Sequence, residues 1–395
     1  MLRDAEIVVV GAGPGGLAAA LALALRGARV RVVERAPELA AVGAGLQISP
    51  NGLAVLDGLG LGPVMRRAGI RSRAVALHDG ASGRRVARLD LDRYPRPYLL
   101  IHRADLVGAL AEAAAAAGAD IRTGMPCDRV TETETGILLA GPGWTERADL
   151  AIGADGVRSV LRSALNGAGV PTFTGQVAWR ALVPADAPLP AEAQVHMGPG
   201  RHLVRYPLRG GALVNLVGVE ERREWAEEGW SHRDDPAHFR AAFAGFAPPL
   251  RAELDRVDGV HLWGLFRHGV ARRWHGGRSA LLGDAAHPTL PFMGQGANLA
   301  LEDAWVLAAC LDAASPDTAL PAYQRARAGR VARAVAAADA NARNYHLRNP
   351  LVRGVAHLGL AALSRGAPGL LTGRFDWLYG ADVTKGTFTP AQAPG

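Results

Sequence analysis

Residues 1–35 constrain the chain most. An apolar run, Ile7-Val8-Val9-Val10, meets the turn Gly11-Ala12-Gly13-Pro14-Gly15-Gly16; a stretch rich in Ala and Leu follows to Arg26, and a second β-branched run, Val30 to Val33, ends on Glu34. That order predicts strand, helix and strand, a βαβ unit. Gly11, Gly13 and Gly16 occupy the G-x-G-x-x-G positions, where a tight turn, a backbone approached by pyrophosphate and a helix packed on a strand each exclude a side chain. The unpaired N–H groups at the helix start then face the phosphates. Glu34 lies roughly 20 residues beyond the turn, where a carboxylate accepts hydrogen bonds from ribose hydroxyls and repels a 2′-phosphate. NAD and FAD both satisfy this unit, so the turn by itself leaves the dinucleotide open.

Composition narrows the classes. At 395 residues, 49% apolar and 21% charged, the chain suits a globular protein of one large domain or two ordinary ones. Cys127 and Cys310 form no C-x-x-C pair or disulfide framework, which argues against thiol catalysis, structural zinc and secretion, and no metal site is expected. Of the 44 basic residues all but Lys385 are arginine, scattered singly or in pairs, so the net charge of +7 points to anionic small molecules rather than a nucleic-acid groove. Asp4 and Glu6 precede the first apolar run and glycines break it. Neither a signal peptide nor a membrane span is expected, and the cytoplasm is the expected location.

Further along, Ser49-Pro50-Asn51 predicts a helix to about Leu59, with Ser49 as N-cap. The loop 36–47 ends in Gly43-Ala44-Gly45-Leu46-Gln47, which either brings backbone against a flat ligand or forms a plain connection. Residues 75–90 alternate as a hairpin, and Arg103 stands at the mouth of an Ala-rich helix, where it either clamps a phosphate or decorates a surface. From Thr172 the pattern changes to alternating strands at 176–183, 193–197, 202–208, 212–219 and 261–266, with a helix at 237–246, which predicts an antiparallel sheet. A strand at 279–282 runs into Gly283-Asp284-Ala285-Ala286-His287-Pro288, and a helix starts near Gly296. Helices at 319–345 and 350–363 and a tail at 374–383 follow. The expected division is a dinucleotide domain over 1–171 carrying the hairpin as an excursion, a sheet domain over 172–275, and a return to the first domain with C-terminal helices over 276–395.

Three distant segments, the N-terminal glycine turn, Gly153-Ala154-Asp155-Gly156, and Gly283-Asp284 through Gly294-Gln295-Gly296-Ala297-Asn298, together resemble the single-component FAD-dependent aromatic hydroxylases, nearest the salicylate, 3-hydroxybenzoate and 6-hydroxynicotinate branch. His102-Arg103-Ala104-Asp105-Leu106, Ala178-Trp179-Arg180 and Phe375-Asp376-Trp377-Leu378-Tyr379-Gly380 extend the likeness over nearly the whole chain. The resemblance implies an α/β fold of the p-hydroxybenzoate hydroxylase type, with a Rossmann-like FAD-binding domain, an inserted and mostly antiparallel substrate sheet, and C-terminal helices. It assigns non-covalent FAD to Gly11, Gly13, Gly16, Glu34, Arg35, Gln47, Arg103, Asp155, Asp284, Gly294, Gly296, Ala297 and Asn298. NADH or NADPH would be a transient co-substrate, with NADH the expected form. Oxygen from O₂ would pass through a C4a-hydroperoxyflavin to an aromatic, typically phenolic, small molecule, in a monomer or homodimer free of membrane and nucleic acid.

Such chemistry needs a base near the substrate hydroxyl. His202 and Tyr206, in His202-Leu203-Val204-Arg205-Tyr206-Pro207, share one face of a strand and carry that expectation. His196, Trp179, Pro291, Phe292 and Met293 are expected in the substrate pocket, with Trp179 and its neighbour Arg180 equally open to sheet packing and a structural ion pair, while His287 is expected to organise the Asp284 loop. Relatives often carry His or Gln after the proline at 291, and Phe292 stands here. That departure leaves room for a larger aromatic, for an epoxidase-like tailoring reaction needing no base, or for a flavin-binding protein that has lost oxygenation. A flavin halogenase is disfavoured, because Trp-x-Trp-x-Ile-Pro is absent.

Overall fold

A computed structural model describes residues 2–39, 45–222 and 232–386. Glu6–Val10 and Arg29–Val33 pair in parallel around the helix Pro14–Ala24. Ile7, Val8 and Val9 are buried on both faces of the sheet, which is why the strand reads as an unbroken apolar run. The parallel sheet runs, in spatial order, Ser279–Leu281, Leu150–Gly153, Glu6–Val10, Arg29–Val33 and Asp120–Arg122. Its first member comes from the last third of the chain, so the turn Gly283–Ala285 emerges beside the N-terminal glycine turn. Helices Arg103–Ala116 and Gly296–Ala313 pack against Pro14–Ala24.

The second sheet has eight strands among the described residues, antiparallel except where Ala193–Gly198 pairs in parallel with Ala74–Asp79. The strands expected between 176 and 266 all form, as Thr172–Pro184, Ala193–Gly198, Arg201–Leu208, Leu213–Glu221 and Val260–Arg267. One face buries Trp179, Leu203 and Leu216 under the helices Pro236–Ala242 and Pro248–Asp255. A single helix was expected there; Pro248-Pro249 fits only a helix start, and the chain forms two.

The hairpin Ala74–Asp79 and Arg85–Asp90 closes the far end of this same sheet instead of standing out from the dinucleotide domain. Val75 and Leu77, opposite Ala193 and Val195, gain partners there that a free hairpin would lack. Ser49 precedes the helix Pro50–Gly58 as expected, but its hydroxyl donates to Asn51 Oδ1 at 2.6 Å and caps no amide. Gly43-Ala44 lies outside the described residues; Gly45–Ile48 is a strand paired with Tyr98–His102. No described helix is long and apolar enough to cross a membrane.

Candidate active site

One cavity of about 900 Å³ begins at the glycine turn, passes Arg103 and Asp284, and ends between the large sheet and the C-terminal helices. The glycines divide the work at its entrance. Gly11, at φ 103°, has no room for a Cβ, which would stand 2.5 Å from the Ala154 carbonyl oxygen, and a Cβ on Gly16 would overlap the Gly11 carbonyl. At Gly13 a Cβ would meet nothing within 4 Å. The first two glycines are needed by the fold, and the third faces the space a ligand backbone fills. Glu34 accepts hydrogen bonds from the Ala12 N–H at 2.8 Å and the Ala36 N–H at 3.0 Å, which anchors its carboxylate at the strand end.

Asp284 exposes its side chain to the cavity, and desolvation by the walls around it raises its pKa against the opposing charges of His287 and Arg103. Burial lowers the pKa of Arg103, against the charges of Asp284 and Glu34. A cation at a helix start that feels two carboxylates and shares one cavity with the open Gly13 suits a pyrophosphate flanked by hydroxyl-bearing groups. Gly294, at φ 60°, turns the chain into Gly296–Ala313, whose first residues, Gly296 and Ala297, line the cavity with Gln47.

Behind this turn lies a buried charge network that sequence reading missed. Asp303 accepts from the Gly283 N–H at 3.0 Å, holds His287 Nε2 at 2.5 Å, and pairs with Arg327 at 2.7 Å. Arg327 also pairs with Glu302 at 2.5 Å, and Glu302 accepts from Asn51 at 2.6 Å and Arg330 at 2.8 Å. Burial opposes ionisation of Asp303, but His287 and Arg327 outweigh it and hold its pKa at about 2. His287 thus fastens the Asp284 turn, as its position after Gly283-Asp284 suggested. Glu302 and Asp303 read as ordinary helix residues, because their partner Arg327 lies on another helix.

His202 and Tyr206 both reach the cavity from Arg201–Leu208. His202 is buried, and desolvation holds it neutral. Tyr206 sits against Gly45, where a Cβ would overlap its ring, and burial raises its pKa to about 12. Pro291, Phe292 and Met293 line the same space, with the Phe292 ring 5.5 Å from that of His202.

Two expected pocket residues point elsewhere. Trp179 packs on Phe239 and Phe243 and donates to Asp234 at 2.7 Å, on the helix-covered face. Strand alternation instead gives the cavity Arg180, whose pKa burial lowers to about 10. His196 is turned away for the same reason, stacking on His78 while Val195 and Met197 face the cavity. Among the expected cofactor residues, Asp155 turns its carboxylate to the Val160 N–H at 2.8 Å, where it caps a helix. Asn298 spends its side chain on Gln47 O, Gly294 O and the Ser49 N–H, leaving only its backbone to a ligand. Arg35 is exposed to solvent.

A family model described as an FAD binding domain matches residues 4–338. The chain is 41% identical over 358 residues to 3-amino-4-hydroxybenzoate 2-monooxygenase of Streptomyces cremeus, covering 87% of this chain and 89% of that one. The chain belongs to the FAD-dependent aromatic hydroxylases. It is also 35% identical over 395 residues to 3-hydroxybenzoate 6-hydroxylase of Polaromonas naphthalenivorans (strain CJ2), covering 96% of this chain and 97% of the relative. Among solved structures, Klebsiella pneumoniae HpxO complexed with FAD and uric acid superposes with a TM-score of 0.84 at 26% identity, over 98% of both chains. A salicylate hydroxylase substrate complex does so at 0.80 and 25% identity, over 97% of both.

This hydroxylase therefore has the expected p-hydroxybenzoate hydroxylase architecture, FAD as cofactor and NAD(P)H with O₂ as co-substrates. Its cavity wall also contains Tyr98, Tyr345, Tyr379 and Asn344, none of which the sequence places in a pocket, although Tyr379 lies in a segment that carries the resemblance. The last three lie on or after the helix Pro316–Tyr345, whose Ala- and Arg-rich sequence carries no signal of what it faces.

Proposed function

We propose that this enzyme hydroxylates a phenolic benzoate, with His202 accepting the phenol proton. The observation that carries the reading is His202 itself: a buried, neutral imidazole on the cavity wall, four residues from Tyr206 on the same face. Arg103, Asp284, Glu34, Gly13 and the start of Gly296–Ala313 would hold FAD, which supplies activated oxygen once NAD(P)H has reduced it. Arg180 presents the buried cation that a substrate carboxylate needs. Tyr206 orients the hydroxyl, and Phe292 with the apolar wall excludes water. A phenolate is a far better nucleophile toward oxygen than the phenol, so proton removal by a placed base is worth about 10²- to 10⁴-fold.

The names of the relatives make 3-amino-4-hydroxybenzoate and 3-hydroxybenzoate the first acids to try. Either should stimulate NADH consumption with one oxygen added to the product by mass spectrometry, and His202→Ala should slow hydroxylation while FAD stays bound. Hydroxylation at an unchanged rate across pH in that variant would remove His202 from the mechanism. NADH is the proposed donor over NADPH, and a faster rate with NADPH refutes that choice. Free Cys127 and Cys310 suit a reducing compartment, and we place the enzyme in the cytoplasm as a monomer or homodimer. Phe292 beside His202 favours a second reading, base-free epoxidation of a larger aromatic, which a diol product would reveal.

A further inference from the structure

Phe292 removes a polar neighbour from His202, yet a buried base must pass its proton on before it can act again. The ring of His202 solves this from its other side. His202 Nδ1 lies 2.7 Å from His346 Nε2, and His346 Nδ1 lies 3.1 Å from Glu221 Oε1. Glu221 pairs with Arg348 at 2.6 Å, and its side chain is 31% exposed. The cavity is thus joined to solvent by two imidazoles and one carboxylate.

The order of donors follows from the carboxylate. Ionised Glu221 only accepts, so His346 Nδ1 carries the proton and donates. Neutral His346 then has Nε2 as an acceptor, so His202 Nδ1 must donate to it. What remains on His202 is an unprotonated Nε2, the nitrogen left for a substrate. We propose that Glu221 and His346 form a positioning relay that fixes His202 as a base and carries the phenol proton to the protein surface.

This rests on the phenolic reading above. In one transfer the substrate O–H breaks as N–H forms at His202 Nε2; the His202 Nδ1 proton moves to His346 Nε2, and the His346 Nδ1 proton moves to Glu221, which gives it to water. No buried imidazole need hold a net charge. When product takes a proton back from His202 Nε2, the reverse transfers reset all three groups.

The surroundings agree. His202 is enclosed by Phe292 and Tyr345, and desolvation together with the neighbouring His346 favours its neutral form. His346 Nδ1 is faced by the Glu221 carboxylate at 3.1 Å and by the Gln176 amide nitrogen at 3.5 Å, and the closer, charged acceptor decides that Nδ1 donates. Arg201 and Arg348 are the nearby cations, and burial first, then those arginines, oppose its protonation, against the pull of Glu221. The Gly200 N–H donates to the His346 carbonyl at 3.2 Å, which ties the residue after Pro316–Tyr345 to the sheet. Arg348 keeps Glu221 ionised, as its lowered pKa requires.

The test follows ionisation of bound 3-amino-4-hydroxybenzoate by ultraviolet difference absorption in stopped flow, using oxidised, FAD-loaded enzyme without pyridine nucleotide. Glu221→Gln keeps shape but lets an amide donate to His346, which reverses the tautomers and leaves His202 Nε2 protonated. It should slow ionisation about tenfold or more with affinity for the acid within twofold. Glu221→Asp should restore most of the rate, and His346→Phe should match or exceed the loss. Should His346→Phe fail to retain FAD, the two Glu221 variants decide. Ionisation within twofold of wild type in Glu221→Gln overturns the relay alone. A wild-type enzyme that ionises neither this acid nor 3-hydroxybenzoate refutes the phenolic reading and the relay with it.

Discussion

Arg327→Leu is the sharpest test of what holds the cofactor turn in place. Arg327 is 1% exposed and is shared by two carboxylates, at 2.7 Å from Asp303 and 2.5 Å from Glu302. Its removal does not strip either acid bare, since Asp303 keeps His287 and the Gly283 N–H while Glu302 keeps Arg330 and Asn51. Breaking a buried pair from one side costs about 3–5 kcal/mol. Against a typical total of about 5–15 kcal/mol, the variant should fold but unfold at much lower denaturant. The pH dependence gives a second reading. A carboxyl depressed to about 2 when folded contributes stability that is complete above its ordinary range and lost as pH falls toward 2. Without Arg327 the pKa of Asp303 rises, so that loss, which still begins near the ordinary carboxyl range, should be complete at higher pH and be smaller in total. Guanidinium unfolding of the apoprotein by circular dichroism at pH 7 and at about pH 2.5 measures both, and FAD affinity should fall because Asp303 fastens Gly283 and His287. A cost below about 1 kcal/mol at pH 7, with FAD affinity unchanged, would refute the reasoning.

Other outcomes follow from the same geometry. Trp179→Phe should cost about 1–2 kcal/mol through the lost bond to Asp234 and leave KM unchanged, which steady-state kinetics beside thermal unfolding would show. Arg180→Met should raise KM for a benzoate about tenfold or more while barely affecting binding of the matching phenol that lacks a carboxylate. Gly45→Ala should lower kcat by pushing the Tyr206 ring from its place, with FAD absorbance retained. His196 is held at about 3 by burial, then by His78 and Arg205, so the stability it allows is complete above its ordinary pKa near 6.5 and falls as pH drops from there toward 3. His196→Leu should flatten unfolding free energy across that window.

Much of the cofactor half was legible in the chain because its requirements are local. Gly11, Gly13 and Gly16 are demanded by turn geometry within a few residues, Glu34 by the length of one βαβ unit, and the alternation from Thr172 onward by the two-residue period of a strand. Asp284 could be tied to the same ligand only through resemblance, since nothing near it in sequence announces Gly13. Period alone placed His202 and Tyr206 together. It cannot tell which face of the sheet looks into the cavity, so the expectation for His196 falls on the wrong side and that for Trp179 stays open between pocket and sheet packing until the fold decides for packing.

What the tertiary structure decided is everything that depends on two distant elements meeting. Ser279–Leu281 completes the parallel sheet begun by Glu6–Val10 and so carries Asp284 to the glycine turn. Val75 and Leu77 find their partners on Ala193–Gly198, which makes a hairpin of the first domain the edge of the second sheet. Arg327 reaches Asp303, and His346 reaches His202, across 24 and 144 residues of chain. A buried charge or a neutral imidazole gains its character from burial and from the partner that burial supplies, and neither is written in the residues beside it.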